Sequence, residues 1–393
     1  MKKIVYYGKI DILDKNALAV RVLANCKIFE ECGFTPIIIC YTGRKKFEKK
    51  IKIGDYDCYQ LKYPESIAEW AKDYFIYKDI ISIISEIGVD DIFAFVRCSI
   101  GYINSIALLN FCNKNKIHYI GDSLDRFEKH PGNNIIHHCV KIVDDWLCFN
   151  ILPTKMKNMI CISRYLESFY LSKNVKNVIR IPSLTNKFDT LYTSLNYENN
   201  GKLEYNDNTI RFVYVGSPGY KGSKDRIDWC VKAFSDVKTT SKCILSIYGI
   251  SEKDYVEQYG EYSNEMNNNE ITFCGRKSNQ ECLTAIINSD YFLFAREDNL
   301  TTRAGFPTKL SESFSCGTPV ITTCSGDVGL HLKNGYNGYI SEKCTYESFL
   351  EILQYAIESD KFKRAELHLN CSNDLSLCYT SWVDPMKKYL DKL

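Results

Sequence analysis

The chain is 393 residues long, 45% hydrophobic and 25% charged, and its 50 basic and 48 acidic side chains leave a formal net charge of +2. That length exceeds what one core ordinarily serves and suits two domains, while the hydrophobic fraction excludes an intrinsically disordered chain. The near balance of charge excludes a dedicated nucleic-acid binder, which carries a strong basic stripe.

In chain order, the charged start at Met1-Lys2-Lys3 leads into an apolar run too short for a signal peptide, and no run approaches a membrane span. Strands are expected over 3–7, 36–41, 92–96, 118–120, 159–162 and 178–181, with helical patterns over 17–31, 67–87, 102–112 and 135–149 between them. Ser163 reads as the N-cap of a further helix, with Glu167 in its first turn. From 186 to 208 the composition is that of an irregular linker. A second series follows, with strands over 210–215, 243–248, 271–274, 291–295 and 320–323 and helices over 225–236, 279–287, 308–316 and 346–358. This alternation predicts an α/β fold of two Rossmann-like βα domains whose strand ends face a central cleft, where ligands of open parallel sheets bind. The expected divisions are 1–190, a linker over 191–208, and 209–377, with a C-terminal helix over 378–393.

Eighteen cysteines are scattered singly with no Cys-x-x-Cys pair, and Cys26, Cys40, Cys139, Cys161, Cys243 and Cys274 lie in apolar runs. Buried free thiols in a reducing compartment account for them. The expectation is a cytoplasmic protein, soluble or loosely peripheral at the inner face of a membrane. The basic cluster Arg44-Lys45-Lys46 with Lys49-Lys50 reads as a solvated loop that is also compatible with anionic lipid.

The segment from Ala304 to Ile321 carries the sharpest chemical signal. A Gly305-Phe306-Pro307 turn precedes a short amphipathic helix, Glu312 sits inside that helix, and Gly317-Thr318-Pro319 breaks it before a strand. The amides of Thr308, Lys309 and Leu310 at such a helix start, together with the helix dipole, offer a seat for a phosphate. A carboxylate one turn further in can hold a sugar hydroxyl. Diphosphate and ribose side by side describe a nucleotide-sugar. A second segment, from Phe212 to Arg226, is a strand ending in a glycine-rich turn, where Gly216, Ser217 and Gly219 let backbone approach a ligand and Lys221 or Lys224 can neutralise a diphosphate. Arg303 can pair bidentately with phosphate oxygens or answer Glu297 or Asp298 on the surface. Lys309 can reach a phosphate or face solvent.

The 304–321 segment resembles the donor-binding core of the retaining glycosyltransferases of the two-domain GT-B fold, family 4, in which two glutamates flank a Gly-Phe-Gly type turn. Glu312 matches the second glutamate, and Ala304 holds the place of the first. The Gly-Phe-Pro-Thr-Lys form with Arg303 ahead of it resembles the subset acting in bacterial surface-polysaccharide assembly. The resemblance implies that 209–377 binds the nucleotide-sugar and 1–190 the acceptor, with the terminal helix packing back on the first domain. It implies a nucleoside-diphosphate-sugar donor, UDP before GDP, with no obligatory cofactor or metal. Glu312 would grip the ribose, while the turn at Gly275-Arg276 would lie against the base. Gly8 would stand near the donor phosphates, and Pro307 through Leu310 would seat them. Arg303 and Lys309 would stabilise the leaving diphosphate, and Asp122, beyond the strand at 118–120, would orient the acceptor hydroxyl.

Asp125, as a helix cap or a second carboxylate, and Glu128 lie near Asp122 in sequence. His137-His138 reads as packing and surface. Asp55-Tyr56-Asp57 matches an Asp-x-Asp metal signature in a Lys-rich loop without an adjoining apolar strand, and is discounted. The expected partners are the donor and a glycan or lipid-linked glycan acceptor, with a partner glycosyltransferase also in view. Two alternatives stay open: an epimerase or hydrolase on the same fold, and a non-catalytic partner subunit, suggested by Ala304.

Overall fold

A computed structural model describes residues 1–13, 17–43, 48–98, 101–126, 135–199, 209–262 and 269–393. The chain divides into two compact units, residues 1–184 with 379–393, and residues 185–378. Four sequence readings fall wholly or partly outside the described residues: Glu128, part of the basic cluster (44–47), the linker from 200 to 208, and the side chains of His137 and His138.

The first unit is built on eight strands: β1 (Lys3–Gly8), β2 (Thr35–Thr42), β3 (Lys50–Ile53), β4 (Tyr56–Lys62), β5 (Ile92–Cys98), β6 (His118–Ser123), β7 (Asn158–Cys161) and β8 (Asn177–Arg180). They lie in the order β3-β4-β2-β1-β5-β6-β7-β8, parallel except for β3 against β4. The central strands are apolar on both faces because helices cover both, as a parallel sheet requires; Ile4, Val5, Tyr6 and Tyr7 of β1 have no exposed surface. The terminal helix Val383–Leu390 belongs to this unit and packs on helix Ala17–Glu31.

The β3–β4 hairpin corrects the reading of the Lys-rich loop. Asp55 sits in the turn with Gly54, which is in the left-handed region (φ 57°), Tyr56 and Asp57 open β4, and Asp57 pairs with Lys50 at 3.0 Å. β3 is the sheet edge, where its charged side chains Lys50 and Lys52 discourage further pairing, while β4 lies between β3 and β2 and buries Cys58 to Leu61. The single helix expected over 67–87 is two, Ile67–Asp73 and Tyr77–Ile87. Cys26, Cys40, Cys161 and Cys243 are buried, whereas Cys139 is exposed and Cys274 half-buried.

The second unit carries β9 (Ile210–Val215), β10 (Cys243–Tyr248), β11 (Asn269–Gly275), β12 (Tyr291–Leu293), β13 (Val320–Thr322) and β14 (Gly338–Ile340). These form an all-parallel sheet in the order β11-β10-β9-β12-β13-β14. Part of the expected linker is helical: Thr190–Asn199 packs on helix Asn279–Ile287, and its Tyr192 is buried. Its start is set by Asp189, whose carboxylate accepts the Leu191 amide at 2.9 Å. A short helix with few apolar anchors leaves no periodicity to read.

Candidate active site

The carboxyl ends of β9, β10 and β11 are joined through glycine backbones. Gly216 follows β9 with φ 144°, and its amide donates to the Tyr248 carbonyl at 3.0 Å. Gly249 follows β10 with φ 106° and donates to the Gly275 carbonyl at 2.8 Å. A Cβ on Gly249 would lie 2.2 Å from the Gly216 carbonyl oxygen, so the close approach of these two turns requires glycine.

Beside this turn lies a charged cluster gathered from three elements. Asp225, two residues ahead of helix Ile227–Asp236, is fully buried. Its Oδ2 accepts from Lys309 Nζ at 3.0 Å and Tyr214 Oη at 2.9 Å, and its Oδ1 accepts from Arg296 Nε at 2.7 Å. Burial pushes the Asp225 carboxyl up, but the two cations outweigh it and hold the group well below the usual carboxylate range. The Lys309 and Arg296 side chains remain 14% and 11% exposed above a carboxylate that is only 1% exposed. One carboxylate against two cations leaves a net positive charge facing outward. Lys309 Nζ rests on the glycine turn itself, since a Cβ on Gly216 would lie 2.2 Å from it.

Helix Thr308–Ser315 carries Lys309 and is held by buried Leu310 and Phe314. At its far end Ser315 shares a 2.5 Å hydroxyl bond with Thr185. Pro307 is its N-cap and supplies no side-chain cap, while the Leu310 amide donates to the Pro307 carbonyl at 3.0 Å. In the expected phosphate seat over Thr308, Lys309 and Leu310, the Leu310 amide is therefore engaged within the turn. Glu312, one turn in, is partly buried; its backbone carbonyl accepts from the Cys316 amide at 3.0 Å, while its carboxylate has no hydrogen bond or ion pair among the described residues. Burial, partly offset by Lys309, pushes its carboxyl up from 4.5 to about 7. Its charge is felt by Tyr192, Cys282 and Cys316. A carboxylate at this depth without a partner among the described residues is suited to accept hydrogen bonds from hydroxyls of a ligand.

Other expected site residues are placed differently. Arg303 is exposed and grips Asp298 bidentately, Nε to Oδ1 at 2.8 Å and Nη2 to Oδ2 at 2.7 Å, which is the surface pairing considered as its alternative. Ser217, Lys221, Lys224 and Arg276 are exposed, and the Lys221 amide donates to Gln258 Oε1 at 3.1 Å. Of the three lysines considered for the diphosphate, Lys309 is the one that rests on Gly216. No atom lies within 4 Å of a Cβ built on Gly275, so its glycine answers to φ 65° and not to a close protein contact.

In the first unit Gly8 is fixed by packing, because a Cβ there would lie 2.9 Å from the Cys98 carbonyl oxygen on β5. Asp122 must be corrected. Its carboxylate is buried and takes donors from Arg21 Nε (3.3 Å), Arg21 Nη2 (2.8 Å) and the Tyr6 hydroxyl, leaving no accessible face for an acceptor. The strand expected over 118–120 runs to Ser123 and draws Asp122 into the sheet. Asp125 beyond it is exposed.

Sequence reasoning missed Asp225, Arg296 and Tyr214. The available signal was weak: an arginine directly after the apolar run Tyr291-Phe292-Leu293-Phe294-Ala295, and an aspartate just ahead of a helix.

Residues 198–372 match the family model described as Glycosyl transferases group 1. An uncharacterized glycosyltransferase of Methanocaldococcus jannaschii is 23% identical over 218 residues, 55% of this chain and 54% of that protein, so the match spans about half the length of that relative. Among solved structures, sucrose-phosphate synthase from Thermosynechococcus elongatus is similar over 100% of this chain and 99% of that one, with a TM-score of 0.69 and 13% identity. Anabaena HepE in complex with UDP-glucose is similar over 100% of both chains, with a TM-score of 0.63 and 13% identity. The structural likenesses carry the fold, which is the expected two-domain GT-B α/β fold. The family match falls within residues 185–378, the unit that carries the Asp225 cluster.

Proposed function

We propose that this chain is a retaining glycosyltransferase that moves a sugar from a UDP-sugar to a hydroxyl of a glycan or lipid-linked glycan in surface-polysaccharide assembly, the first unit taking the acceptor. The observation that carries the reading is the partly exposed pair Lys309 and Arg296 beside the Gly216 turn, with Glu312, whose carboxylate has no partner among the described residues, one helical turn away. Two cations suit a diphosphate, and a carboxylate suits the hydroxyls of a ribose. HepE, similar in fold, is complexed with UDP-glucose, which favours UDP as the donor nucleotide.

In this reading the bond from the sugar C1 to the diphosphate oxygen breaks, and a bond from C1 to the acceptor oxygen forms on the same face. The acceptor proton passes to the departing diphosphate. The protein's part is to hold that growing negative charge with Lys309, Arg296 and the amides at the start of helix Thr308–Ser315, without reorganisation at the moment of reaction. Arg303 joins them only by leaving Asp298.

A thermal-shift panel of UDP, GDP, ADP and CMP tests the binding, because a specific ligand raises stability by RT ln(1 + [L]/Kd). A rise with UDP above the others is expected, followed by transfer from a UDP-sugar with retained anomeric configuration by NMR. No rise with any nucleotide would sink this reading and favour a non-catalytic partner subunit, to which the alanine at position 304 also points.

A further inference from the structure

Asp225 touches neither solvent nor any surface a donor could reach, yet it contacts both cations of the site. Its three donors come from β9 (Tyr214), the segment after β12 (Arg296) and helix Thr308–Ser315 (Lys309). Each cation is only partly used by it. Among the described residues, the Arg296 guanidinium spends Nε on Asp225 with no hydrogen bond from its terminal amino groups, and the Lys309 ammonium has one ion-pair partner for its three N–H donors. The backbone of Arg296 is fastened separately, its amide donating to Thr323 Oγ1 at 2.8 Å and its carbonyl accepting from the same hydroxyl at 2.6 Å. Lys309 Nζ, at the end of a flexible four-carbon stem, has Asp225 as its ion-pair partner.

We propose that Asp225 is a positioning residue for the donor diphosphate, holding Lys309 Nζ and the Arg296 guanidinium side by side at the Gly216 turn so that their remaining donors converge on phosphate oxygens. The inference rests on the glycosyltransferase reading above. Two like charges brought together repel, and two long side chains lose rotamer freedom when fixed. A carboxylate beneath them offsets both costs before the ligand arrives, which is what preorganised stabilisation of a leaving group requires. It also leaves the cluster net positive by one charge, so the pair still attracts an anion. Neutralising Asp225 makes the cluster more positive while loosening its geometry, so ground-state nucleotide binding suffers less than turnover.

The test uses the full chain with three variants, Asp225→Asn, Lys309→Met and the double variant, reading UDP affinity by calorimetry, kcat for donor turnover, and the urea midpoint. In Asp225→Asn, kcat should fall by about 10- to 100-fold with a smaller change in UDP affinity. The double variant should fall no more than about threefold below Lys309→Met alone, because Asp225 acts through the lysine. Losses in kcat that simply add, or a lowered urea midpoint with unchanged kcat in the folded protein, would overturn the proposal. Should Asp225→Asn fail to fold, Asp225→Glu keeps the charge and displaces it by one methylene; it should bind UDP and lose kcat, and wild-type kcat would overturn the proposal. A wild-type chain that binds no nucleoside diphosphate overturns the functional reading and this one together, whereas UDP binding with additive variants overturns this one alone.

Discussion

Arg21 and Asp122 form a buried ion pair, Nη2 to Oδ1 at 2.8 Å, with side chains 2% and 0% exposed. The other terminal nitrogen of Arg21 donates to the Ile181 and Pro182 carbonyls at 2.8 and 2.7 Å, so the pair fastens helix Ala17–Glu31 and β6 to the chain just past β8. Removing one partner leaves the other charge buried and uncompensated, which costs about 3–5 kcal/mol. Asp122→Ala should therefore lower the urea midpoint strongly, and Arg21→Met added to it should recover part of the loss. A midpoint unchanged in Asp122→Ala would show that the pair does not hold this unit.

Glu312 gives a pH dependence with a definite sign. Its carboxyl, raised to about 7 from 4.5, binds its proton more tightly in the folded chain than in the unfolded one. Its contribution to stability is thus full below 4.5 and declines as pH rises toward 7. Ribose hydroxyls donate to the ionised form, so UDP affinity should increase as pH rises through 7 and level off above it. Glu312→Gln should flatten both profiles, and hydrogen bonds to a charged acceptor, about 1.5–3 kcal/mol, set the loss of UDP affinity at about 10- to 100-fold. Isothermal titration between pH 5.5 and 8.5 checks this; an unchanged slope in the variant would remove Glu312 from the nucleotide site.

The three strand-end glycines should respond differently to alanine. At Gly249 the added Cβ meets the Gly216 carbonyl oxygen at 2.2 Å, and backbone cannot yield, so Gly249→Ala should be the most destabilising. At Gly216 it meets the end of the Lys309 side chain, which can move aside; Gly216→Ala should lower stability by about 1–3 kcal/mol through its φ of 144° and weaken UDP binding besides. At Gly275 nothing lies within 4 Å, so Gly275→Ala should cost about 1–2 kcal/mol for the left-handed backbone alone. Thermal melts and UDP titrations of the three variants would reveal any other order.

Arg303 and Asp298 compete with a phosphate for the same guanidinium. An exposed pair is worth at most ~1 kcal/mol, so Asp298→Ala should leave the melting temperature nearly unchanged while releasing Arg303 and improving UDP affinity by up to about fivefold. Affinity that stays put in Asp298→Ala and in Arg303→Ala alike would mean that Arg303 does not engage the donor.

The βα alternation, the span of β9 and β10, the helix starting at Thr308 after its Gly-Phe-Pro turn, and Glu312 as the carboxylate within it were all legible in the residues. These are local matters: hydrophobic period, capping and turn chemistry act over a few residues and are written there. The β3–β4 hairpin and short elements escaped, because Lys50, Lys52, Asp57 and Lys62 interrupt any apolar run in the hairpin and helix Thr190–Asn199 has too few apolar anchors to show a period. Tertiary structure alone decided which charges meet. Asp225 finds Arg296 71 residues away, and Asp122 finds Arg21 across 101. Parallel strands joined by crossovers bring such groups to one sheet edge, and no local pattern records the pairing. The same long-range pairing placed Lys309 on Gly216 and withdrew Asp122 into the core: a carboxylate's role follows from the charges the fold sets beside it.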